Sequence, residues 1–270
     1  MYRLLGLDLD GTLLNEKHEI SEKNKEYINL LKEKGTKVIL LSGRETGSVK
    51  FFSEELSLME PLVGFNGGII TDYTGKEIFY EECIEEKWAR KVVAYGEINN
   101  MCIFIFMRSH IFVSDKEDTR FKIFERYTTD HVDEVGNISK YLEDNRLWAN
   151  INKILIADEN ENLVKYKEKL ENILSDNLSM QFSLPFFLEI FSPNISKGNA
   201  LDKLGRIFNI KREEMVAIGD GENDISMIEY AGLGVAMENA LENVKDKADY
   251  ITLSNKEDGV SHVIKKFWKL

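Results

Sequence analysis

Cysteine, histidine and proline are scarce in this chain of 270 residues, and each scarcity excludes something. The two cysteines, Cys83 and Cys102, make no disulfide framework and fall in no C-x-x-C pair. The four histidines, His18, His110, His131 and His262, show no ligand spacing, so a zinc centre is not expected. Only three prolines occur (Pro61, Pro185 and Pro193), and no repeat, low-complexity tract or long linker is visible. Positive charge is in deficit: 35 Lys+Arg against 47 Asp+Glu leave a net charge of −12. So acidic a surface repels nucleic-acid backbones and anionic lipid, and neither is expected as a partner; a local positive site for a small anion is compatible with it. Long apolar runs are missing too. The longest, Met101–Met107, falls far short of a membrane span. Asp8 and Asp10 interrupt the apolar stretch that a secretory signal would need at the start of the chain. The expectation is a soluble, cytoplasmic protein, a monomer or weak homodimer.

What is present suffices for a real core: 43% of the residues are hydrophobic and 10% aromatic, which excludes a wholly disordered chain. The first third alternates short apolar runs with helical periodicity. Arg3–Leu7 runs into Asp8. Ser21 is placed to cap a helix reaching Lys34, with Tyr27, Ile28 and Leu31 on one face. Lys37–Leu41 reads as a buried strand, Thr46–Leu56 as a helix, and Leu62–Phe65 as a further apolar run. Asp72–Gly75 reads as a turn. The last third returns to the same alternation, with strands at Phe187–Phe191, Met215–Gly219 and Leu233–Met237, helices at Lys197–Phe208 and Asn223–Tyr230, and an amphipathic closing helix through Val260, Val263, Ile264 and Phe267. Strand–helix alternation with near-continuously apolar strands predicts an α/β fold, a Rossmann-like parallel sheet covered by helices on both faces. The middle differs. A hairpin over Met101–Met107 and Ile111–Ser114, strands at Lys153–Asp158 and Leu178–Leu184, and a helix at Asn162–Leu174 predict an inserted α+β domain. The expected division is core over 1–82, insertion over 83–186, and core again over 187–270.

Each buried strand of the outer thirds ends in a small or charged cluster: Asp8-Leu9-Asp10-Gly11-Thr12, Ser42-Gly43-Arg44, Asn66-Gly67-Gly68 and Asp220-Gly221-Glu222-Asn223-Asp224. In open α/β sheets the carboxyl ends of the strands lie side by side and form the ligand crevice. Asp8, Asp10, Ser42, Asn66, Asp220 and Asp224 are therefore expected to converge. Carboxylates so crowded must protonate or gather round a cation. With oxygen ligands alone the expected ion is hard, Mg²⁺ by default. Gly11, Gly43 and Gly221 let backbone N–H groups approach an anion. Ser42 and Thr12 add hydroxyls, and Lys197 adds a positive charge at a helix N-terminus. This is the outline of a phosphate site with a carboxylate nucleophile: Asp8 attacks phosphorus, Mg²⁺ and Lys197 neutralise the transferring group, and Asp10 protonates the leaving alcohol and then activates water. Bland readings stand beside it. Ser42 also fits a helix cap, Arg44 a partner for an acid, Asn66 a turn residue, and the cysteines small buried hydrophobes.

The segments DLDGTLL (Asp8–Leu14), LSGR (Leu41–Arg44), NGGII (Asn66–Ile70), SKGNAL (Ser196–Leu201), GDGENDISMI (Gly219–Ile228) and GVAMENA (Gly234–Ala240), with the tail SNKEDGVSHVI (Ser254–Ile264), together resemble the haloacid dehalogenase superfamily of phosphatases. They are most similar to its Cof-type subfamily, which carries a type IIB cap. Ser42 in place of threonine and Gly68 in place of alanine are mild departures. The resemblance implies that Asp8 is nucleophile and Mg²⁺ ligand, and that Asp10 is acid/base with its backbone carbonyl on the metal. It implies further that Asp220 ligates directly with Asp224 in support, and that Ser42, the backbone at Leu9 and Gly43, Lys197 and Asn223 hold the phosphate. The expected activity is Mg²⁺-dependent hydrolysis of a small phosphorylated metabolite. A phosphotransferase or mutase on the same scaffold, and an Asp-phosphorylated receiver-like binding protein, remain as alternatives. The inserted region offers no motif that names the substrate.

Overall fold

Five short strands form a wholly parallel sheet in the order Tyr250–Ile251, Leu233–Ala236, Met215–Gly219, Leu4–Leu7, Lys37–Leu40, the middle three buried throughout and the edge strand Tyr250–Ile251 partly exposed. The computed structural model describes residues 2–127 and 131–270. The chain divides into two compact units, Met1–Tyr80 with Ile195–Leu270, and Glu81–Asn194. The parallel sheet belongs to the first.

Side-chain alternation places helices on both faces of that sheet. Leu5, Leu7, Val216, Ile218 and Val235 point to one side, where they meet Ile28 and Leu31 of helix Glu22–Glu33 and Val260, Val263 and Ile264 of helix Gly259–Trp268. Leu4, Ile39, Met215 and Ala217 point to the other, against Ala200, Leu201 and Leu204 of helix Lys197–Phe208 and Met227 of helix Ile225–Tyr230. Each such buried leucine or isoleucine contributes roughly 1.5–3 kcal/mol relative to exposure. The first helix starts where its capping serine predicts, with Ser21 Oγ accepting the Asn24 N–H at 3.1 Å. The apolar run after Pro61 departs from expectation. Leu62–Gly64 meets the parallel sheet through a bridge between Leu41 and Val63, and pairs antiparallel with Ile69–Thr71 in a separate three-stranded sheet completed by Ile78–Glu81.

The second unit holds a six-stranded sheet in the order Ser179–Leu184, Phe187–Phe191, Lys153–Ala157, Cys102–Met107, His110–Val113, Val132–Glu134. All its pairings are antiparallel except the last, His110–Val113 with Val132–Glu134. Helices Glu86–Ile98, Ile138–Asp144 and Asn160–Leu174 pack on one face through Val92, Val93, Leu142, Leu163 and Leu170. The apolar run at 101–107 is core of this sheet, as its composition suggests.

The boundaries differ from the expected ones at both crossings. Phe187–Phe191, read as a strand of the core unit, lies between Lys153–Ala157 and Ser179–Leu184 in the second unit. All five of its residues are buried, so its pattern is the continuous apolar one that a parallel strand also shows. The division falls after Tyr80 rather than after residue 82 because Glu81 and Glu82 bond into the second unit: Glu81 to Arg108 and Asn152, Glu82 to Ser192 and Asn194. No helix among the described residues is long and apolar enough to cross a membrane.

Candidate active site

Strand register brings distant acids together. Leu7 is paired with Ile218 on one side and Leu40 on the other, so the residues that follow these strands emerge next to one another: Asp8, Asp220 and Ser42. The Asp8 N–H continues the ladder by donating to the Ile218 carbonyl at 3.1 Å. Helix Lys197–Phe208 supplies the positive charge. Its first residue is fully buried, because Gly198 lets the helix press against Ile225–Tyr230; a Cβ there would lie 2.4 Å from the Ser226 carbonyl oxygen.

Lys197 Nζ donates to Asp8 Oδ1 and to Asp224 Oδ1, both at 2.5 Å. Asp224 is also wholly buried, and its Oδ2 accepts the backbone N–H groups of Asp220 and Gly221, each at 2.9 Å. Asp224 thus shapes the loop that presents Asp220. Thr12 Oγ1 donates to Asp220 Oδ1 at 2.9 Å, and Asn239 Nδ2 donates to the Gly11 carbonyl at 2.8 Å while lying 3.4 Å from Asp220 Oδ2. Gly11 has φ +80°, and a Cβ on it would stand 2.2 Å from Asp220 Oδ2. Only glycine satisfies both the left-handed backbone and the close approach. Carboxylate oxygens of Asp8, Asp220 and Asp224 all lie within 4.8 Å of one another.

One lysine does not balance these acids. Burial pushes the Asp8 carboxyl well above the usual range, and the charges of Asp224 and Asp220 raise it further against the pull of Lys197. Burial and Asp224 raise Asp220 from 3.8 to about 6, with Thr12 and Lys197 opposing. Lys197 is drawn down by burial but raised overall by Asp224 and Asp8, so it stays charged. An all-oxygen set of acids held partly protonated for want of positive charge fits a hard divalent cation.

The remaining expected residues form a second group. Ser42 is 1% exposed; its carbonyl accepts the Asn66 N–H at 2.8 Å and its Oγ the Arg44 N–H at 3.1 Å. Asn66, at φ 57°, accepts a hydrogen bond on Oδ1 from Asn223 Nδ2 at 2.8 Å, and lies 3.1 Å from where a Cβ on Gly43 would be. Leu9 is fully buried among core residues, so only its backbone remains for a ligand. The side chain of Asp10 stands outside the Asp8–Asp220–Asp224 cluster. It is 46% exposed and paired with Arg44. Ser42 is not the cap of the following helix; Glu45 is, accepting N–H groups of Gly47 and Ser48. Sequence reasoning gave no role to Asn239, although it falls inside the GVAMENA segment. Both cysteines are buried enough to push their thiols up, Cys83 to about 11 and Cys102 to about 12, as expected of packing residues rather than nucleophiles.

The model of the haloacid dehalogenase-like hydrolases matches residues 5–264. The chain belongs to that family. Phosphatase YwpJ of Bacillus subtilis is 32% identical over 282 residues, covering 97% of this chain and 99% of the relative. A haloacid dehalogenase-like hydrolase of Bacteroides thetaiotaomicron is 33% identical, with a TM-score of 0.88 over 98% of this chain and 99% of that one. The HAD subclass IIB sugar phosphatase BT4131, at 24% identity and a TM-score of 0.85, covers 99% of this chain and all of that one, and shares the fold from end to end.

Proposed function

We propose that this hydrolase releases phosphate from small phosphomonoesters, sugar phosphates or similar metabolites, through a phosphoryl group carried on Asp8, with Mg²⁺ as cofactor. That the chain is a phosphatase follows from its family and from relatives so named over nearly their whole length. What supports the finer reading is the buried Lys197 between Asp8 and Asp224, beside Asp220.

Asp8 Oδ1 accepts from Lys197, whereas Oδ2 accepts no hydrogen bond among the described residues and is the edge left for attack. In the first step Asp8 Oδ2 bonds to phosphorus as the ester P–O bond breaks, and Asp10 gives its proton to the leaving oxygen. In the second, Asp10 takes a proton from water, whose oxygen bonds to phosphorus and displaces the Asp8 carboxylate. The Ser42 hydroxyl, the backbone N–H groups of Leu9 and Gly43, and the Asn223 amide hold the phosphate oxygens. Asp8, Asp220 and the Asp10 carbonyl would hold Mg²⁺, which supplies the positive charge that keeps Asp8 ionised and offsets charge on the transferring group. Asp224 has Oδ1 committed to Lys197 and Oδ2 to two N–H groups, so its part is to place Asp220 and Lys197.

Steady-state phosphate release from a panel of phosphorylated metabolites, with Mg²⁺, with Ca²⁺ and after exhaustive chelation, tests the proposal. Turnover should require Mg²⁺, fall with the larger Ca²⁺, and vanish in Asp8→Ala. Undiminished turnover after chelation, or in Asp8→Ala, refutes it.

A further inference from the structure

Asp10 differs from the other acids of the site. Asp8 and Asp224 are buried, whereas nearly half of the Asp10 side chain is open, at the head of the turn over 11–13. An exposed aspartate on a turn samples several rotamers and would face a leaving group only part of the time. Arg44 removes that freedom. Its Nε donates to Asp10 Oδ2 at 2.7 Å and its Nη2 to Asp10 Oδ1 at 2.6 Å, a two-pronged contact that fixes the plane of the carboxylate as well as its position.

The guanidinium is itself held. Nη1 donates to Ser48 Oγ at 3.1 Å, and the guanidinium carbon lies 5.5 Å from the centroid of the Phe52 ring. Arg44, Ser48 and Phe52 recur four residues apart, the spacing of one helix face. Helix Thr46–Glu55 is anchored by Glu45 at its start and by Val49 and Phe52 in the core. Rigidity therefore passes from core to Phe52 and Ser48, to Arg44, and so to Asp10.

We propose that Arg44 is a positioning residue for proton transfer: it orients the Asp10 carboxylate toward the leaving group and then toward water. This rests on the roles given to Asp8 and Asp10 above. Each carboxylate oxygen has two lone-pair sites; Arg44 takes one on each and His18 Nδ1 stands 3.7 Å from Oδ1, so the second site on Oδ2 is the one left for exchanging a proton. A lysine, a point charge without the planar fork, cannot reproduce the orientation.

The test compares Arg44→Lys with the wild type on two esters. An alkyl phosphate needs a proton on its leaving oxygen; 4-nitrophenyl phosphate departs as a stabilised phenolate. The kcat/KM for the alkyl ester, which reports only the step that phosphorylates Asp8, should fall about 100-fold, the cost of misplacing a reacting group by an ångström, with far less effect on kcat/KM for the nitrophenyl ester; kcat should fall for both, because water attack on the common intermediate also uses Asp10. Retained kcat/KM on the nitrophenyl ester also reports that the variant is folded. In an Asp10→Asn background Arg44→Lys should cost nothing more, because the two act as one unit. Equal losses of kcat/KM on both esters, or an undiminished loss in the Asp10→Asn background, overturn the inference and leave Arg44 a structural or phosphate-holding residue. If Arg44→Lys loses its cooperative melting, Ser48→Ala takes its place. It removes one strut and should show the same selectivity to a smaller degree, and no selectivity there also overturns the inference. If Asp10→Asn itself does not discriminate between the esters, the role given to Asp10 is what fails, and the Arg44 inference goes with it.

Discussion

Lys197→Met is the most demanding substitution for the charge balance described above. Methionine keeps most of the length and volume of the lysine stem, so little cavity is left. What disappears is the ammonium group that donates to Asp8 and Asp224 at 2.5 Å in a fully buried position. Removing one partner of a buried ion pair costs about 3–5 kcal/mol, because the other charge is left uncompensated; here two carboxylates are left, with Asp220 alongside. For a unit of this size, 1 kcal/mol corresponds to roughly 2–4 °C, so the loss should lower Tm by roughly 6–20 °C. The assay is thermal unfolding at neutral pH with a chelator present, following the transition of the unit Met1–Tyr80 with Ile195–Leu270. Added Mg²⁺ should recover part of the loss, since the cation replaces some of the missing positive charge. A Tm within about 2 °C of wild type in chelator, or no recovery with Mg²⁺, would refute the claim that Lys197 and a cation share the neutralisation of these acids.

Gly11→Ala should cost about 1–2 kcal/mol from its left-handed backbone alone and should also displace Asp220, 2.2 Å from the new methyl. Calorimetric titration with Mg²⁺ should show weakened binding, and unaltered affinity would contradict the placement. Asp220 carries a pH signature. Its folded-state value of about 6 lies above the ordinary 3.8, so the folded chain holds a proton that the unfolded chain releases. That stabilisation is present below pH 4 and is lost as the pH rises through 6. In chelator the stability of wild type relative to Asp220→Asn should therefore fall between pH 4 and 7, and Mg²⁺ should flatten the slope. A difference independent of pH in chelator would count against it. Gly198→Ala should push the start of helix Lys197–Phe208 off the Ser226 carbonyl and lower kcat; a variant with wild-type kcat would show that Lys197 needs no such exact seat.

Four strands of the parallel sheet were legible because they are buried and end abruptly in polar clusters, so strand and site are marked by the same transition; the fifth, Tyr250–Ile251, is two partly exposed residues long and carries no such signal. Lys197 was legible only by its place before Gly198; its complete burial came from the packing of two helices, which no local pattern announces. Phe187–Phe191 was placed in the wrong unit for a comparable reason. A central antiparallel strand buried on both sides reads like a parallel one, and its single charge, Glu189, is matched by Lys153 across the sheet at 3.0 Å, a pairing invisible in one dimension. The short helices Phe121–Glu125 and Ile138–Asp144 have too few residues to show a period. At the site, the acids declared themselves by type and spacing, whereas the Arg44–Asp10 pair and the Asn239–Gly11 contact depend on loop paths set by positive φ at Gly11, Phe65 and Asn66. Such paths follow from tertiary contact rather than from composition.

The central claim is that Asp8 becomes covalently phosphorylated. Mixing the Mg²⁺-loaded enzyme with excess ester, quenching in acid within one turnover and mapping the peptides by mass spectrometry addresses it directly. A phosphoryl mass on the peptide containing Asp8, gone when the quench is delayed past substrate exhaustion and absent from Asp8→Asn, is the expected result. Rapid turnover with no modified peptide, or with the phosphoryl group on another residue, would contradict it.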